Sequence, residues 1–168
     1  MEFVKIKEDE FDFIFSQMQS NFILEERRDY LPAKNILQNK DYELFHLQNE
    51  SKKVGFISVW HLDGMEFIEH FVVYEEYRNS GLGAKALNLA KEKWENLVLE
   101  AELPLTEIAK RRLGFYQRNG FIKNREEYYQ PPYRKGGEGV FLALLSYPTQ
   151  ISDFEKVKTK IYKRVYGV

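Results

Sequence analysis

Residues 78–87 read RNSGLGAKAL, and they follow the apolar run FIEHFVV at 67–73. Two glycines separated by one residue, with an arginine before them and a helical pattern after them, are typical of a turn that receives a phosphate group. Glycine has no Cβ, so the amides of such a turn can close on an anion, and the positive end of the next helix points to the same place. The stretch predicts a strand, an anion-binding turn and a helix. The alternative is a glycine turn that binds nothing.

The residues of the turn also narrow the class of phosphate ligand. A P-loop places a lysine and a hydroxyl residue directly after its second glycine, and GLGAKA has neither the spacing nor the hydroxyl. A dinucleotide fingerprint needs a third small residue, which Ala86 supplies, but it normally opens a βαβ unit near the start of its domain. Several predicted elements precede this turn, so the dinucleotide interpretation is disfavoured.

The length and composition of the chain predict one soluble domain over residues 1–168, with a C-terminal helical extension at 148–168. Hydrophobic residues make up 43% of the chain and charged residues 30%, which is ordinary globular composition. The net charge of −1 gives no general attraction to nucleic acid or to anionic lipid. The chain has no cysteine, which excludes disulfides, thiolate metal sites and a cysteine nucleophile. No signal peptide or membrane-length apolar run is visible, so a cytoplasmic location is expected.

Periodicity predicts a definite order of elements: strand, two helices, three antiparallel strands, helix, strand, helix, two strands, helix. The strands at 66–74 and 97–101 flank one helix and should be parallel neighbours. The sheet is therefore expected to be mixed, in an α/β (α+β) fold. The C-terminal helix either packs on the domain or against a second subunit, which leaves a homodimer open. The other predicted strands are 2–8, 42–48, 54–60 and a pair within 127–146, and the other helices begin at Glu10 and span 25–37 and 106–120.

One family matches this arrangement. The pattern Val73-x4-Arg78-x2-Gly81-x-Gly83 resembles the acetyl-CoA signature of the GNAT superfamily of N-acyltransferases, and FYQRNGF at 115–121 is similar to the family's FY-x3-GF segment. The resemblance implies a mixed, mostly antiparallel central sheet with helices on both faces and a C-terminal helix. It also implies direct transfer of an acetyl group from acetyl-CoA to a primary amine.

The resemblance makes acetyl-CoA the co-substrate, with its pantetheine arm along the strand at 66–74 and its pyrophosphate on the glycine turn. No metal is expected. Many family members have an asparagine after the strand at 97–101, where this chain has ELPLT; Thr106 either replaces it in part or caps the next helix, and the cap is favoured. The implied cofactor-binding residues are Phe71, Val72, Val73, Arg78, Asn79, Ser80, Gly81, Leu82, Gly83 and Tyr116.

Two residues are the catalytic candidates. Transfer to an amine requires that the amine lose a proton and that the departing thiolate gain one. Glu69 lies inside an apolar strand, where strict alternation places it on the face of Phe67, Phe71 and Val73, and it is the candidate for general base or for positioning the amine. The alternative is an ion-paired carboxylate. Tyr116 is the candidate general acid, because the family's tyrosine at this position lies beside the cofactor sulfur; the alternative is a core aromatic residue.

The sequence indicates least about the acceptor amine. Glu100 and Glu102 lie at and just past the end of the strand at 97–101 and, with Glu69, predict an acidic mouth that favours a cationic amine. The alternative is that they are solvated charges at the end of the strand, which is favoured for Glu102. Tyr128, Tyr129 and Tyr133 either form an aromatic wall over the acceptor or pack the last two strands. His70 is expected to be a hydrogen-bonded core residue. Small molecules and peptides both remain open as acceptors, and the alternative function is a non-catalytic acyl-CoA sensor. A third is a dimerising structural domain.

Overall fold

A computed structural model describes residues 1–168, and it contains eight strands and five α-helices. The order is the predicted one with a single addition, a two-residue strand between the fourth helix and the last two strands. The strands are β1 (Glu2–Lys5), β2 (Tyr42–Asn49), β3 (Lys52–Leu62), β4 (Met65–Val73), β5 (Leu97–Glu102), β6 (Ile122–Lys123), β7 (Tyr128–Gln130) and β8 (Val140–Tyr147). The helices are α1 (Phe11–Asn21), α2 (Tyr30–Asn35), α3 (Leu82–Lys93), α4 (Glu107–Arg118) and α5 (Phe154–Ile161), which continues as a π-helical turn at Tyr162–Tyr166. None of the helices has the length and apolar character needed to cross a membrane.

All eight strands belong to one sheet, in the order β1-β2-β3-β4-β5-β8-β6, with β7 also paired to β8. Only β4 and β5 are parallel, and every other pairing is antiparallel. The predicted mixed, mostly antiparallel sheet is therefore confirmed. The parallel pair is the one that the sequence places on either side of α3.

Helices cover both faces of the sheet, which alternation along the strands makes apolar on each side. On one face α1, α2 and α5 pack around the buried Phe11, Phe56 and Trp60, and on the other α3 and α4 pack around Leu87 and Leu99. Because the apolar residues of α5 lie in the first of these cores, α5 packs on its own domain and needs no second subunit to cover them.

The second predicted helix is shorter than its pattern suggests. The sequence predicts a helix over 25–37, whereas α2 spans only Tyr30–Asn35 and short 3-10 turns lie on either side of it. Arg27 and Asp29 have extended backbones, with ψ values of 155° and 163°. This extended segment directs Arg28 into the interior, where it is 8% exposed. The ion pair described below, rather than helix propensity, accounts for the interruption.

A β-bulge interrupts β4 at Glu69. The register pairs Ser58 of β3 with His70 and Val59 with Ile68, which leaves Glu69 without a partner on β3. A bulge inserts one extra residue and bends the strand. Its effect on the site is large, because the bulge lies where β4 separates from β5.

The bulge changes which side chains share a face. Phe67 packs in the core of α1 and α2, but Phe71 and Val73 pack on the opposite face, against the core of α3 and α4. Glu69 contacts Trp60 and therefore lies on the face of Phe67. The prediction that Glu69 shares a face with Phe71 and Val73 is wrong, because strict alternation was counted across the extra residue.

Candidate functional site

The two parallel strands separate after a short stretch of pairing. Glu66–Ile68 of β4 pair with Leu97–Leu99 of β5, and beyond them β4 stays with β3 while β5 stays with β8. The gap forms the mouth of a cavity of about 1050 Å³. This volume is at the upper end of the range for small-molecule sites. Glu69 and Glu100 are the first residues of the two strands beyond their last paired residues, and we call this point the apex of the split.

The glycine turn lies between β4 and α3, as predicted. Asn79 and Gly81 both have left-handed backbones, with φ of 61° and 79°. Gly81 has open space around it, so its conformation, and not crowding, explains the glycine. Gly83 is required for a different reason: a Cβ at this position would lie 3.1 Å from Phe115 Cζ. The turn therefore brings the start of α3 close to α4.

The start of α3 presents unpaired amides to the cavity. The Lys85 amide donates to the Gly81 carbonyl at 3.1 Å, so the amides of Leu82, Gly83 and Ala84 precede the first helical hydrogen bond. Gly81, Gly83 and Ala84 line the cavity. The positive end of the helix dipole is at the same place and favours an anion.

Arginines add charge to this anion-binding end. The Arg78 Nε donates to the Val73 carbonyl at 3.1 Å, and Nη2 donates to Asn21 Oδ1 at 2.6 Å. These contacts hold an exposed guanidinium at the rim, between the end of β4 and the end of α1. Arg111 and Arg118 of α4 also line the cavity. The combination of helix terminus and guanidinium groups suits a pyrophosphate.

Most of the predicted cofactor residues come together in this cavity. Ser80 and Leu82 do not line it: the Ser80 hydroxyl donates to the Tyr77 carbonyl at 2.5 Å, and the Leu82 side chain is buried in the core beneath α3. The residues that do line it are Phe71, Val72, Val73, Arg78, Asn79, Gly81, Gly83 and Tyr116.

Glu69 holds a buried, ion-paired carboxylate. Its side chain is 1% exposed and forms an ion pair with Arg28, and it accepts hydrogen bonds from Trp60 Nε1 at 3.1 Å and the Tyr133 hydroxyl at 2.8 Å. Burial opposes its ionisation, but the Arg28 charge, together with His70 and the hydrogen bonds from Arg28 and Tyr133, leaves the pKa of Glu69 below its ordinary value. The residue still lines the cavity through its main chain, since the side chain is covered.

Glu100 has the opposite environment. It lines the cavity, and its carboxyl accepts hydrogen bonds from the Tyr128 hydroxyl and, at 2.8–2.9 Å, from the Tyr166 hydroxyl, with no cation beside it. Burial raises the pKa of Glu100 to about 8, against the lowering effect of the two phenols, and the charge of Glu69 adds to the rise. At the apex, therefore, the pKa of Glu69 lies below its ordinary value and the pKa of Glu100 lies above it.

Two further carboxylates line the same part of the cavity. Glu102 pairs with Arg112 at 2.9 Å on the exposed rim. The Glu26 carboxylate, just before α2, has no hydrogen-bond partner; burial, and then the charge of Glu102, raise the pKa of Glu26 to about 6. With Glu100 they place three carboxyl groups along this part of the cavity, although Arg112 neutralises Glu102 and Arg28 neutralises Glu69.

Tyr116 lies on α4 and faces the cavity. It is 7% exposed, its ring packs against Phe115 and Phe121, and its hydroxyl makes no hydrogen bond within the protein. Burial raises the pKa of Tyr116 to about 12, so the phenol is neutral and able to donate near pH 7. The Thr106 hydroxyl accepts from the Ala109 amide at 3.1 Å and so caps α4, as expected.

The other predicted residues have structural contacts. The His70 ring is buried between Ser58 and the Glu26 carbonyl, as a hydrogen-bonded core residue. Tyr128 and Tyr133 both bind an apex carboxyl through their hydroxyls, whereas Tyr129 packs against Phe141. No group of three or more histidine, aspartate or glutamate side chains is arranged to hold a metal ion.

The sequence interpretation missed the arginines of α4 that line the cavity, Arg111 and Arg118, and three residues around the apex. Of these three, Arg28 appears in the sequence as one of two arginines in a predicted helix, and Tyr166 as one of several tyrosines in the C-terminal tail. Glu26 carries no motif at all. An isolated charge inside an apolar strand, as at Glu69, was the one available signal that a buried cation had to lie nearby.

Comparison with known proteins agrees with this geometry. A family model described as "Acetyltransferase (GNAT) domain" matches residues 40–123. A solved structure of a GNAT-family protein from Bacteroides thetaiotaomicron superposes with a TM-score of 0.93 at 30% identity, over 100% of this chain and 99% of the other. No curated protein matches the chain.

More distant structures share the fold alone. A chimera of the spermidine N-acetyltransferase SpeG from Vibrio cholerae has a TM-score of 0.63 at 9% identity, over 87% of this chain and 95% of the other. An acetyltransferase from Elizabethkingia anophelis, solved with acetyl-CoA bound, has a TM-score of 0.51 at 18% identity, over 70% and 82%. With the family model spanning half of the chain and the Bacteroides structure spanning all of it, the chain belongs to the GNAT family of acetyltransferases.

Proposed function

We propose that this protein is an N-acetyltransferase that moves the acetyl group of acetyl-CoA directly to a primary amine. The observation that carries the proposal is a single cavity with an anion-binding turn at one part and an acidic apex at another. Glu69 and Val73 are four positions apart on β4, which is about 13 Å along a strand. A long cofactor with phosphates at one end and a thioester at the other fits this separation of charges.

The cofactor assignment rests on the start of α3 and its arginines. Family members use acetyl-CoA, and the related Elizabethkingia protein was solved with acetyl-CoA bound. In the proposal, Arg78 and the amides of Gly81 and Gly83 hold the pyrophosphate, and the unpaired edge of β4 beside Phe71 and Val73 pairs with the pantetheine arm.

Tyr116 is proposed as the general acid and Glu69 as an ion-paired residue that holds the bulge of β4. Tyr116 supplies a neutral, unpartnered hydroxyl that can protonate the departing thiolate. The sequence left three roles open for Glu69: a general base, a residue that positions the amine, and an ion-paired carboxylate. Its contacts favour the third, and any effect on the site is through the strand that it holds. Its carboxylate already accepts from Arg28, Trp60 and Tyr133, and it therefore fixes the bulge rather than offering a free base.

The acceptor is proposed to be cationic, as a small-molecule or peptide amine. Glu26 and Glu100 carry no ion pair in the cavity, and desolvated acidic groups without a counter-ion favour a ligand that brings positive charge. Spermidine is the acceptor named for the distant SpeG relative, and polyamines therefore belong in the first panel of candidates.

The function is tested by mixing the protein with acetyl-CoA and separate amines: polyamines, aminoglycosides, amino acids and peptides with free N-termini. Release of the CoA thiol above the hydrolysis background, together with the mass of an acetylated amine, supports the enzyme. Thermal stabilisation by acetyl-CoA without turnover supports an acyl-CoA sensor instead. If acetyl-CoA gives no stabilisation, both functions are wrong.

Tyr116→Phe is expected to lower kcat by more than tenfold, because the thiolate loses its proton donor. The Kd for acetyl-CoA, measured by calorimetry, should stay within about twofold, since the ring and its packing are retained. Tyr129→Phe, which removes a hydroxyl outside the cavity, is the matched control. An unchanged kcat in Tyr116→Phe would remove this residue from the mechanism.

Arg78→Met is expected to weaken acetyl-CoA binding about tenfold, the equivalent of one charge-assisted phosphate contact of about 1.4 kcal/mol. The loss should shrink as salt is added, because screening weakens the contact in the parent protein. Calorimetric titrations at low and high salt measure both effects. Arg125→Met, at an exposed arginine outside the cavity, is the control and should bind as the parent does; equal affinities in the two variants would contradict the phosphate role.

A further inference from the structure

We propose that Glu100, and not Glu69, is the general base that deprotonates the amine in the proposed acetyl transfer. The inference rests on the proposed function and names a further catalytic residue for it. Both carboxyls stand at the apex of the split, where β4 and β5 stop pairing. They differ in the groups that hold them, because Glu69 is paired with a cation and Glu100 is not.

The number and the charge of the donors distinguish the two carboxyls. The Glu69 carboxylate accepts three hydrogen bonds, and one of the donors is a cation: Oε1 accepts from Arg28 and Tyr133, and Oε2 accepts from Trp60. In Glu100, Oε1 accepts from Tyr128, and Tyr166 has a single hydroxyl hydrogen to share between Oε1 and Oε2. Glu100 therefore accepts only two hydrogen bonds, both from neutral phenols, and it lines the cavity without a counter-ion.

The proton affinities of the two carboxyls also favour Glu100 as the base. A lysine-like amine has a pKa near 10.4, so passing its proton to an ordinary glutamate near 4.3 is unfavourable by roughly 10⁶. With the pKa of Glu100 raised to about 8 by burial, the same transfer is unfavourable by only about 10² to 10³. Paired carboxyls whose environments separate their pKa values commonly divide the acid, base and electrostatic roles in this way.

The groups that face Glu100 come from several elements. They are Glu69 of β4, Glu26 before α2, Tyr128 of β7, Tyr133 of the following loop, and Tyr162 and Tyr166 of the C-terminal turn. Apart from Glu69, all of these groups lie outside residues 40–123, the part that the family model matches. The base is therefore set up by parts of the chain that the family motif does not contain.

The proton balance is complete with Glu100 and Tyr116 alone. The ammonium gives one proton to Glu100 Oε2, and the neutral nitrogen forms a bond to the thioester carbonyl carbon. The C–S bond then breaks, and the thiolate leaves with the electron pair and takes the proton of the Tyr116 hydroxyl. Tyr116 recovers a proton from the new amide nitrogen, and Glu100 releases its own to solvent.

The test is the pH profile of kcat/KM for one amine that the enzyme accepts, in the parent and in Glu100→Gln. The parent should show a rising limb with an ionisation near pH 8. Glu100→Gln keeps acceptors for both tyrosines and should lose at least 100-fold in kcat/KM at pH 7.5 together with that limb, with the Kd for acetyl-CoA unchanged. Glu127→Gln, an exposed neighbour of Tyr128, is the matched control and should behave as the parent.

A second variant tests the same ionisation while the Glu100 carboxyl is kept. The hydrogen bond from Tyr166 lowers the pKa of Glu100, so Tyr166→Phe should move the rising limb to higher pH.

Three results would overturn the proposal. Glu100→Gln could keep more than a third of the parent activity, Glu100→Gln could lose activity while keeping the rising limb, or the parent profile could lack this ionisation. A parent that acetylates no amine overturns the proposed function as well, whereas activity that survives in Glu100→Gln overturns only this inference.

Discussion

Arg28→Met is expected to lower the free energy of unfolding by about 3 to 5 kcal/mol, because it leaves the Glu69 carboxylate buried without its cation. The arginine is 8% exposed and the glutamate side chain 1%, so water cannot replace the lost partner. The substitution also removes the hydrogen bond from Arg28 Nη2 to the Val165 carbonyl and the stacking of the guanidinium 4.5 Å from the Tyr133 ring centre. Urea denaturation at pH 7.5 measures the loss.

The comparison that isolates this cause is the double variant Arg28→Met, Glu69→Gln. Removing the stranded charge should recover a large part of the stability. The loss in the single variant should also shrink below about pH 5, where the unpaired Glu69 can bind a proton and become neutral. Arg134→Met breaks an ion pair with the exposed Asp29 and should cost less than about 1 kcal/mol. If Arg28→Met loses no more stability than Arg134→Met, the buried Glu69 charge does not depend on Arg28 as proposed.

Glu100→Gln is expected to stabilise the protein by about 3 to 5 kcal/mol at pH 8.5 and by only about 1 kcal/mol at pH 5. The folded protein raises the pKa of Glu100 to about 8, whereas the unfolded chain has it near 4.3. Between these values the folded state holds a proton that the unfolded state has released, so the contribution of Glu100 to stability falls as pH rises through this window. Glutamine has no proton to lose and avoids the fall.

Thermal unfolding at the two pH values measures the effect. For a domain of this size the gain corresponds to a Tm higher by about 5 to 15 °C at pH 8.5. Glu127→Gln should show no such pH-dependent difference from the parent. Parallel Tm curves for Glu100→Gln and the parent would mean that Glu100 does not have a raised pKa. A gain in stability together with a loss of turnover is the pattern expected when a site residue is held in an unfavourable environment for its chemistry.

The sequence predicted the parts of this structure that depend on local patterns. Strand alternation, helix periodicity and the glycine turn gave the order of elements and the parallel pairing of β4 with β5, and the signature around Arg78 and Gly81 gave the family. These features are encoded within a few residues of one another, where sequence spacing and spatial distance nearly coincide.

The environments of Glu69 and Glu100, by contrast, depend on contacts with residues that are distant in the sequence. Arg28 reaches Glu69 across 41 positions, and Tyr166 reaches Glu100 across 66. No local pattern specifies such pairs, so the sequence could present Glu69 as a free base and Glu100 as a residue of the acidic mouth. The contacts assign Glu69 a cation and leave Glu100 without one, and this difference reverses the order in which the two carboxyls are expected to take up protons.

The bulge in β4 also has a meaning for how such a site arises. If Glu69 were absent, Ile68 and His70 would be consecutive, and strict alternation would still place Phe67, His70 and Val72 on one face and Phe71 and Val73 on the other. The alternation of the strand therefore does not depend on this residue. Glu69 has the character of an insertion added to a regular strand, and its side chain is the point at which that surplus position is tied, through Arg28, to the rest of the domain.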